Sequence, residues 1–304
     1  MKNTVPHALV MVRPRAFGFN RETADSNVFQ QSGATENSRA IHENAVREFD
    51  EMVDLLMAHE IDVRVFDDTT AVEKPDAVFP NNWVSFHPDG RVILYPMMAE
   101  NRRLERRPDI IDVLRNDFAF TEQIDLTGEE KNGVFLEGTG SVVFDHGSRR
   151  LFAARSPRTH ESLVGKLAAL LDYVPVTFDA TDERGRAIYH TNVMMSIGRK
   201  FAVVCLDAIR ADGDQDQILG ELAEAGKRVI AISHKQMNAF AGNVIEVESR
   251  QGDACVLISR SAYATLLPGQ INAMAAHAEL LTIGVETIEK YGGGSVRCMV
   301  AGVH

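Results

Sequence analysis

Five times along this chain an apolar run of strand length gives way to an amphipathic helix and then to a second apolar run. Parallel strands need a crossover of this kind, so repetition of the pattern restricts the fold to α/β architectures made of like units. In the first unit, ALVMV near residue 8 is followed after a long loop by a helix predicted from about His42 to His59. Val46, Phe49, Val53 and Leu56 fall there at helical spacing, and IDVRVF closes the unit. The second opens with VILYP at 92–96, crosses a charged helix and ends near Thr121–Leu126. In the third, LFAAR precedes Ser156 and Pro157, read as N-cap and first helical residue; Leu163 to Leu171 form the apolar stripe and YVPVTF closes. FAVVCL, a helix from about Gly213 to Ala225 and RVIAI form the fourth, and ACVLIS, a helix near 268–281 and VETIE the fifth.

Between the units lie short polar or glycine-bearing segments that run into further apolar stretches: PDAVFPNNWVSF, FLEGTGSVVF, YHTNVMMSI, AFAGNVIEV and YGGGSVRCMVA. Packing five like units around an axis brings these segments together at its centre. No proline-rich or low-complexity linker separates any two units, so one domain over 1–304 is expected. The competing reading is an ordinary α/β alternation without the symmetry.

A net charge of −11, with no basic stretch to offset it, argues against nucleic acid or an anionic membrane as partner. Arg102, Arg103, Arg106 and Arg107 alternate with Glu100 and Glu105 and read as a solvated helix face. No run reaches the length of a membrane span, and the apolar stretch from Val5 to Val12 is too short for a signal peptide. Three widely spaced cysteines point to a reducing compartment without a disulfide framework, hence the cytoplasm. Cys205 and Cys255 sit in apolar strands and read as core. His59, His234 and His277 have no paired ligand at metal-binding spacing, and neither metal nor cofactor is expected.

The last segment delivers Cys298 after three consecutive glycines and beside Arg297, a cation that favours the thiolate. A thiol nucleophile needs a proton acceptor and donor, which an imidazole supplies near neutral pH, and the imidazole gains from a carboxylate that orients it. His190 and Glu137 stand at corresponding places in two other segments. Asp76 offers a carboxylate to a substrate N–H or amidinium group; Asn81, Asn82, Asn192 and Asn243 add amides that donate and accept. Arg158, at the predicted start of the third helix, suits an amino-acid carboxylate, though a solvent-exposed helix-start arginine fits it equally. Residues 17–41, long and polar, form the candidate lid over the channel.

Taken together, PDAVFPNNW, LEGTGS, YHTNVMMS and GGGSVRC resemble the pentein, or guanidine-modifying, superfamily of arginine and agmatine deiminases, dimethylarginine dimethylaminohydrolases and amidinotransferases. MVRPRAFGFNRETADSNVFQ and GGGSVRCM resemble more narrowly the citrulline utilization hydrolases, often labelled amidinotransferase-like. The resemblance spans essentially the whole chain. It implies a five-bladed, pseudo-fivefold α/β propeller of ββαβ units around a central active-site channel. Carried over residue by residue, it implies Cys298 as nucleophile, His190 as general acid/base and Glu137 as the carboxylate beside it. It also implies Asp76 at the substrate's nitrogen end and Arg158 at its α-carboxylate.

Two positions depart from that pattern. Relatives acting on guanidinium commonly carry an acid where this chain has Asn82, and deiminases carry one where it has Asn192. A cationic guanidinium favours carboxylates around it, whereas the carbonyl oxygen of a ureido group accepts from an amide. The expected activity is therefore hydrolysis of a linear C–N bond in a ureido or guanidino amino acid through a covalent thio-intermediate, with citrulline yielding ornithine, carbon dioxide and ammonia. Alternatives are an arginine-type deiminase or dimethylarginine dimethylaminohydrolase, then an amidinotransferase, and last a non-catalytic pentein-fold binding protein. A papain-like protease is disfavoured because there the cysteine precedes the histidine. The expected partner is a small amino-acid substrate; a homo-oligomer is left open.

Overall fold

The central strand of every unit is a short apolar run buried on both faces, and each builds the same three-stranded sheet around itself. The computed structural model describes residues 4–31, 37–69 and 72–304. Strand β1 (Ala8–Arg13) is followed by helix α1 (Ser38–Ala58) and strand β2 (Asp62–Asp67). The second blade comprises β3 (Val84–Phe86), β4 (Arg91–Leu94), α2 (Pro108–Phe118) and β5 (Glu122–Asp125). The third has β6 (Val143–Asp145), β7 (Arg150–Ala154), α3 (Glu161–Leu171) and β8 (Val174–Phe178). In the fourth are β9 (Met195–Ile197), β10 (Phe201–Val204), α4 (Asp212–Glu224) and β11 (Arg228–Ala231). The fifth holds β12 (Ile245–Glu248), β13 (Ala254–Ser259), α5 (Pro268–Ala275) and β14 (Glu279–Ile283).

In four of the five sheets the central strand is antiparallel to the strand before it and parallel to the one after it, as a hairpin followed by a helical crossover requires. The first blade closes differently. Its antiparallel strand is β15 (Ala301–Val303), with Val10 facing Ala301 on one side and Arg64 on the other. The five sheets form the pseudo-fivefold propeller, and both ends of the described chain meet in one blade. First strands of neighbouring blades touch one another, β15 with β3, β6 with β9 and β9 with β12, forming the inner ring about the axis. Helices lie outside, and the core fills the space between them and the sheets, running from blade to blade: Phe152, Phe178, Val203, Val256 and Ile258 share one cluster. Among the described residues no helix is long and apolar enough to cross a membrane.

Four local expectations are corrected. Helix α1 begins at Ser38, capped by the Asn37 side chain, so residues 38–41 are helix rather than lid. Ser156 and Pro157 do not open α3: the Ser156 hydroxyl is spent on the Tyr189 carbonyl at 2.8 Å, and His160 caps the helix from the Ser162 N–H. Arg158 therefore sits in a turn ahead of the helix. In the fifth unit the helix stops at Ala275, the closing strand is β14, and VETIE instead opens helix α6 (Glu286–Gly292). The Glu48 carboxylate of α1 accepts the otherwise orphaned N–H groups of Thr287 (2.9 Å) and Ile288 (3.1 Å), which holds that segment helical. Finally, Arg102 and Glu105 are buried, each only 3% exposed, rather than solvated.

Candidate active site

Each inner strand is preceded by a tight turn, and these turns ring the axis. Glu137 stands immediately before the helical turn Gly138–Ser141 and His190 immediately before the turn Thr191–Met194, so the two occupy the same place in consecutive blades. Thr191 Oγ1 donates to the Ser141 carbonyl at 2.6 Å and locks one turn to the next. His190 Nε2 then lies 2.8 Å from Glu137 Oε2, with both side chains buried.

Glu137 also accepts from the Met98 N–H (3.0 Å) and from Arg158 Nη1 (3.4 Å). Burial pushes this carboxyl up, but Arg158, the His190 hydrogen bond and Arg102 outweigh it and hold the group well below the usual carboxylate range. An ionised carboxylate can only accept, so His190 Nε2 carries the hydrogen and Nδ1 the lone pair. Burial takes the imidazole down to about 4, with Glu137 pulling the other way. Gly140 makes room for this arrangement: a Cβ there would lie 2.4 Å from Asn82 Nδ2 and 2.8 Å from His190 Nδ1.

Cys298, 4% exposed, lies within the last turn. Asn243 Nδ2 lies 3.2 Å from its sulfur and Asn192 Nδ2 lies 3.5 Å away. The orientation of Asn243 is fixed by its own carbonyl oxygen, which accepts the Arg297 N–H at 3.1 Å and so turns the amide nitrogen to the sulfur. Two neutral donors thus face the thiol. Arg297 makes no hydrogen bond to the sulfur among the described residues: its guanidinium donates to the Val300 carbonyl and lines a different cavity, and it acts on Cys298 through charge, an attraction that opposes the downward push of burial on Arg297.

Opposite stands Asp76, 2% exposed. Its Oδ2 accepts from Asn20 Nδ2 at 2.7 Å and lies 3.6 Å from Arg102 Nε, while Oδ1 has no hydrogen-bond partner among the described residues. Burial pushes Asp76 up, with Arg102 opposing. Arg102 is held by two 2.9 Å bonds to Glu105 and one to Asn82 Oδ1, and burial takes Glu105 up to about 7.

Asp76, Asn82, Arg102, Arg158, Tyr189, His190 and Cys298 line one narrow pocket with the three glycines 292–294. Asn192 and Asn243 meet the sulfur rather than the pocket lining. Asn81 is brought in differently again: its side chain is buried but does not line the pocket, and both of its amide atoms are without partners among the described residues. Arg158 is 1% exposed, stacked over the Tyr189 ring at 5.0 Å and bonded to Ser26 and the Thr23 carbonyl. Those contacts come from the candidate lid, of which residues 32–36 lie outside the described residues. Its described part, 17–31, seats on the site through Asn20 on Asp76 and Asn27 on the Gly292 carbonyl (3.1 Å). A Cβ at Gly293, where φ is +65°, would meet the Asn27 amide at 2.7 Å, so this glycine lets the loop close down.

Four lining residues, Asn27, Phe79, Arg102 and Tyr189, were not singled out from sequence, nor was Asn20, which holds Asp76 from behind the lining. Tyr189 had a signal in its position beside His190, and its hydroxyl donates to the Gly293 carbonyl at 2.7 Å. Asn20 sits in a polar loop without pattern, and Arg102 carried a misleading one.

The family model described as N,N dimethylarginine dimethylhydrolase, eukaryotic, matches residues 13–304. The chain belongs to this family, within the pentein superfamily. Among solved structures it is similar to the N-terminal domain of ArgZ, an arginine dihydrolase from the ornithine-ammonia cycle in cyanobacteria. There the identity is 16%, coverage is 97% of each chain and the TM-score is 0.74. AgrE in its ternary complex with ornithine and NAD+ gives 18% identity over 98% of this chain and a TM-score of 0.75. This chain spans only 39% of that longer one. A dimethylarginine dimethylaminohydrolase adduct with S-methyl-L-thiocitrulline gives 14% identity, coverage of 98% and 100%, and a TM-score of 0.65. At these identities the likeness carries the fold. A search of curated proteins gives no match.

Proposed function

We propose that this chain is a cysteine hydrolase that cleaves a linear C–N bond of a ureido amino acid, with citrulline as the substrate that fits best. The observation that carries the reading is the charge state of the pocket. Asp76 and Glu105 already share the resident cation Arg102, Glu137 has Arg158, and the groups facing the sulfur are the neutral amides of Asn192 and Asn243. A guanidinium brought here finds its counter-charges taken, whereas a neutral ureido group has an acceptor for its N–H in Asp76 Oδ1.

In the proposed reaction the Cys298 thiol passes its proton to His190 Nδ1, and the sulfur adds to the ureido carbon. Asp76 accepts a substrate N–H and fixes the carbon over the sulfur, and Glu137 stabilises the imidazolium as it forms. His190 returns the proton to departing ammonia, leaving the ornithine nitrogen on an S-carbamoyl enzyme. Water activated by the same imidazole releases the carbamic acid, which loses carbon dioxide to give ornithine. The protein's own groups suffice for each of these proton transfers.

A second reading, hydrolysis of arginine or a methylated arginine, is favoured by the unpartnered Asp76 Oδ1 and by the family to which the chain belongs. Product analysis by mass spectrometry after incubation with citrulline, arginine and dimethylarginine separates the two. Ornithine from citrulline alone is the expected result; turnover of arginine or dimethylarginine in preference to citrulline overturns the ureido assignment and leaves the second reading. Release of the leaving amine without an amine acceptor (ammonia from citrulline or arginine, dimethylamine from dimethylarginine) is expected in either case and opposes an amidinotransferase.

A further inference from the structure

Between the inner strands lies a second cavity of about 60 Å³, which shares no lining residue with the Cys298 pocket. Its walls come from all five blades: His87 after β3, His146 after β6, Ser196 in β9, Glu246 in β12, and Arg297 and His304 on either side of β15. This convergence leaves buried polar atoms unmet. The Ser196 hydroxyl (5% exposed), His87 Nδ1 (3% exposed) and His304 Nδ1 have no hydrogen-bond partner among the described residues.

The hydrogen on His87 can be placed by following its partners. Tyr95 is fully buried and its hydroxyl lies 2.7 Å from Ser85 Oγ, which lies 2.7 Å from His87 Nε2. The phenol avoids an orphaned O–H only by donating to Ser85, which then donates to Nε2. His87 therefore bears its hydrogen on Nδ1, the unmet atom. Arg297 adds a fixed cation whose Nη1 is bonded to the Val300 carbonyl at 3.2 Å. The one acidic side chain in the wall among the described residues, Glu246, is occupied by Arg199, whose backbone N–H donates to it at 2.9 Å. No group of three or more metal-ligating side chains is suitably placed to hold a metal ion among the described residues. The cavity holds about two waters at ~30 Å³ each, a volume also suited to one small oxyanion and too small for an amino acid.

We propose that the cavity framed by His87, Ser196, His304 and Arg297 binds a small inorganic oxyanion at a site separate from Cys298. The proposal does not depend on which substrate the catalytic pocket takes. Calorimetric titration of the full chain with inorganic phosphate at constant ionic strength tests it, with Cys298 alkylated to block the other pocket. One saturable site per chain is expected, weakened about tenfold by Arg297→Gln and severalfold by the small change Ser196→Ala. A parallel titration with bicarbonate ranks the two anions. Absence of saturable binding of either anion, equal affinity in both variants, or loss of the site on alkylation of Cys298 overturns the proposal.

Discussion

Burial outweighs Glu137 at His190 and takes the imidazole down to about 4, so Nδ1 keeps its lone pair through the neutral range. Below that value the protonated ring cannot take a proton from Cys298. The acid limb of kcat/KM is therefore expected near about pH 4 rather than at the ordinary histidine value. Glu137→Gln removes the anion that raises the imidazole, so the limb moves to lower pH while the rate falls about 10²–10⁴-fold; a pH–rate profile reads both. Gly140→Ala tests the same contact sterically: the added methyl displaces Asn82 or His190, and at least about a hundredfold loss of kcat/KM is expected with the fold intact by circular dichroism. At this scale Cys298, His190 and Glu137 were legible because each stands in a repeated segment whose position the symmetry defines. Arg102 was not legible. Its run ENRRLERR alternates charge as a solvated helix does, and only contact with Asp76 and Asn82, far off in sequence, buries it.

The segments that place these side chains depend on neighbours outside their own blade. Helix α6 leads into the three glycines and is held at its N-terminus by Glu48 of α1. Glu48→Ala strips that acceptor from the half-buried N–H of Thr287 and the buried N–H of Ile288 and is expected to destabilise the fold by about 1–3 kcal/mol, measured as a lower urea midpoint. Local pattern was a poor guide here. VETIE is rich enough in β-branched residues to read as a strand, while ELLTI, which pairs with β13, reads as the end of a helix. The carboxylate that decides the matter lies over two hundred residues away. Ser156–Pro157 misled for a related reason, since its hydroxyl serves Tyr189 rather than a helix end.

Over the whole molecule the architecture was readable from the five apolar central strands, because a run buried on both faces keeps its signature whatever its neighbours. What the repeat did not reveal is that the first blade borrows its inner strand from the other end of the chain. Removal of 301–304 unpairs one edge of β1 and frees the turn carrying Cys298; a large fall in the calorimetric melting temperature of the whole domain is expected, not loss of one blade alone, because the core clusters run between blades. The central claim is that the propeller brings Cys298 and His190 to one pocket, with Glu137 behind the imidazole, and that this sulfur attacks a ureido carbon. Acid-quenched peptide mass spectrometry during citrulline turnover tests it most directly. A carbamoyl-ornithine adduct on the peptide bearing Cys298, abolished together with activity in Cys298→Ala, is the predicted result. Undiminished turnover in Cys298→Ala, with no adduct on the native enzyme, contradicts it.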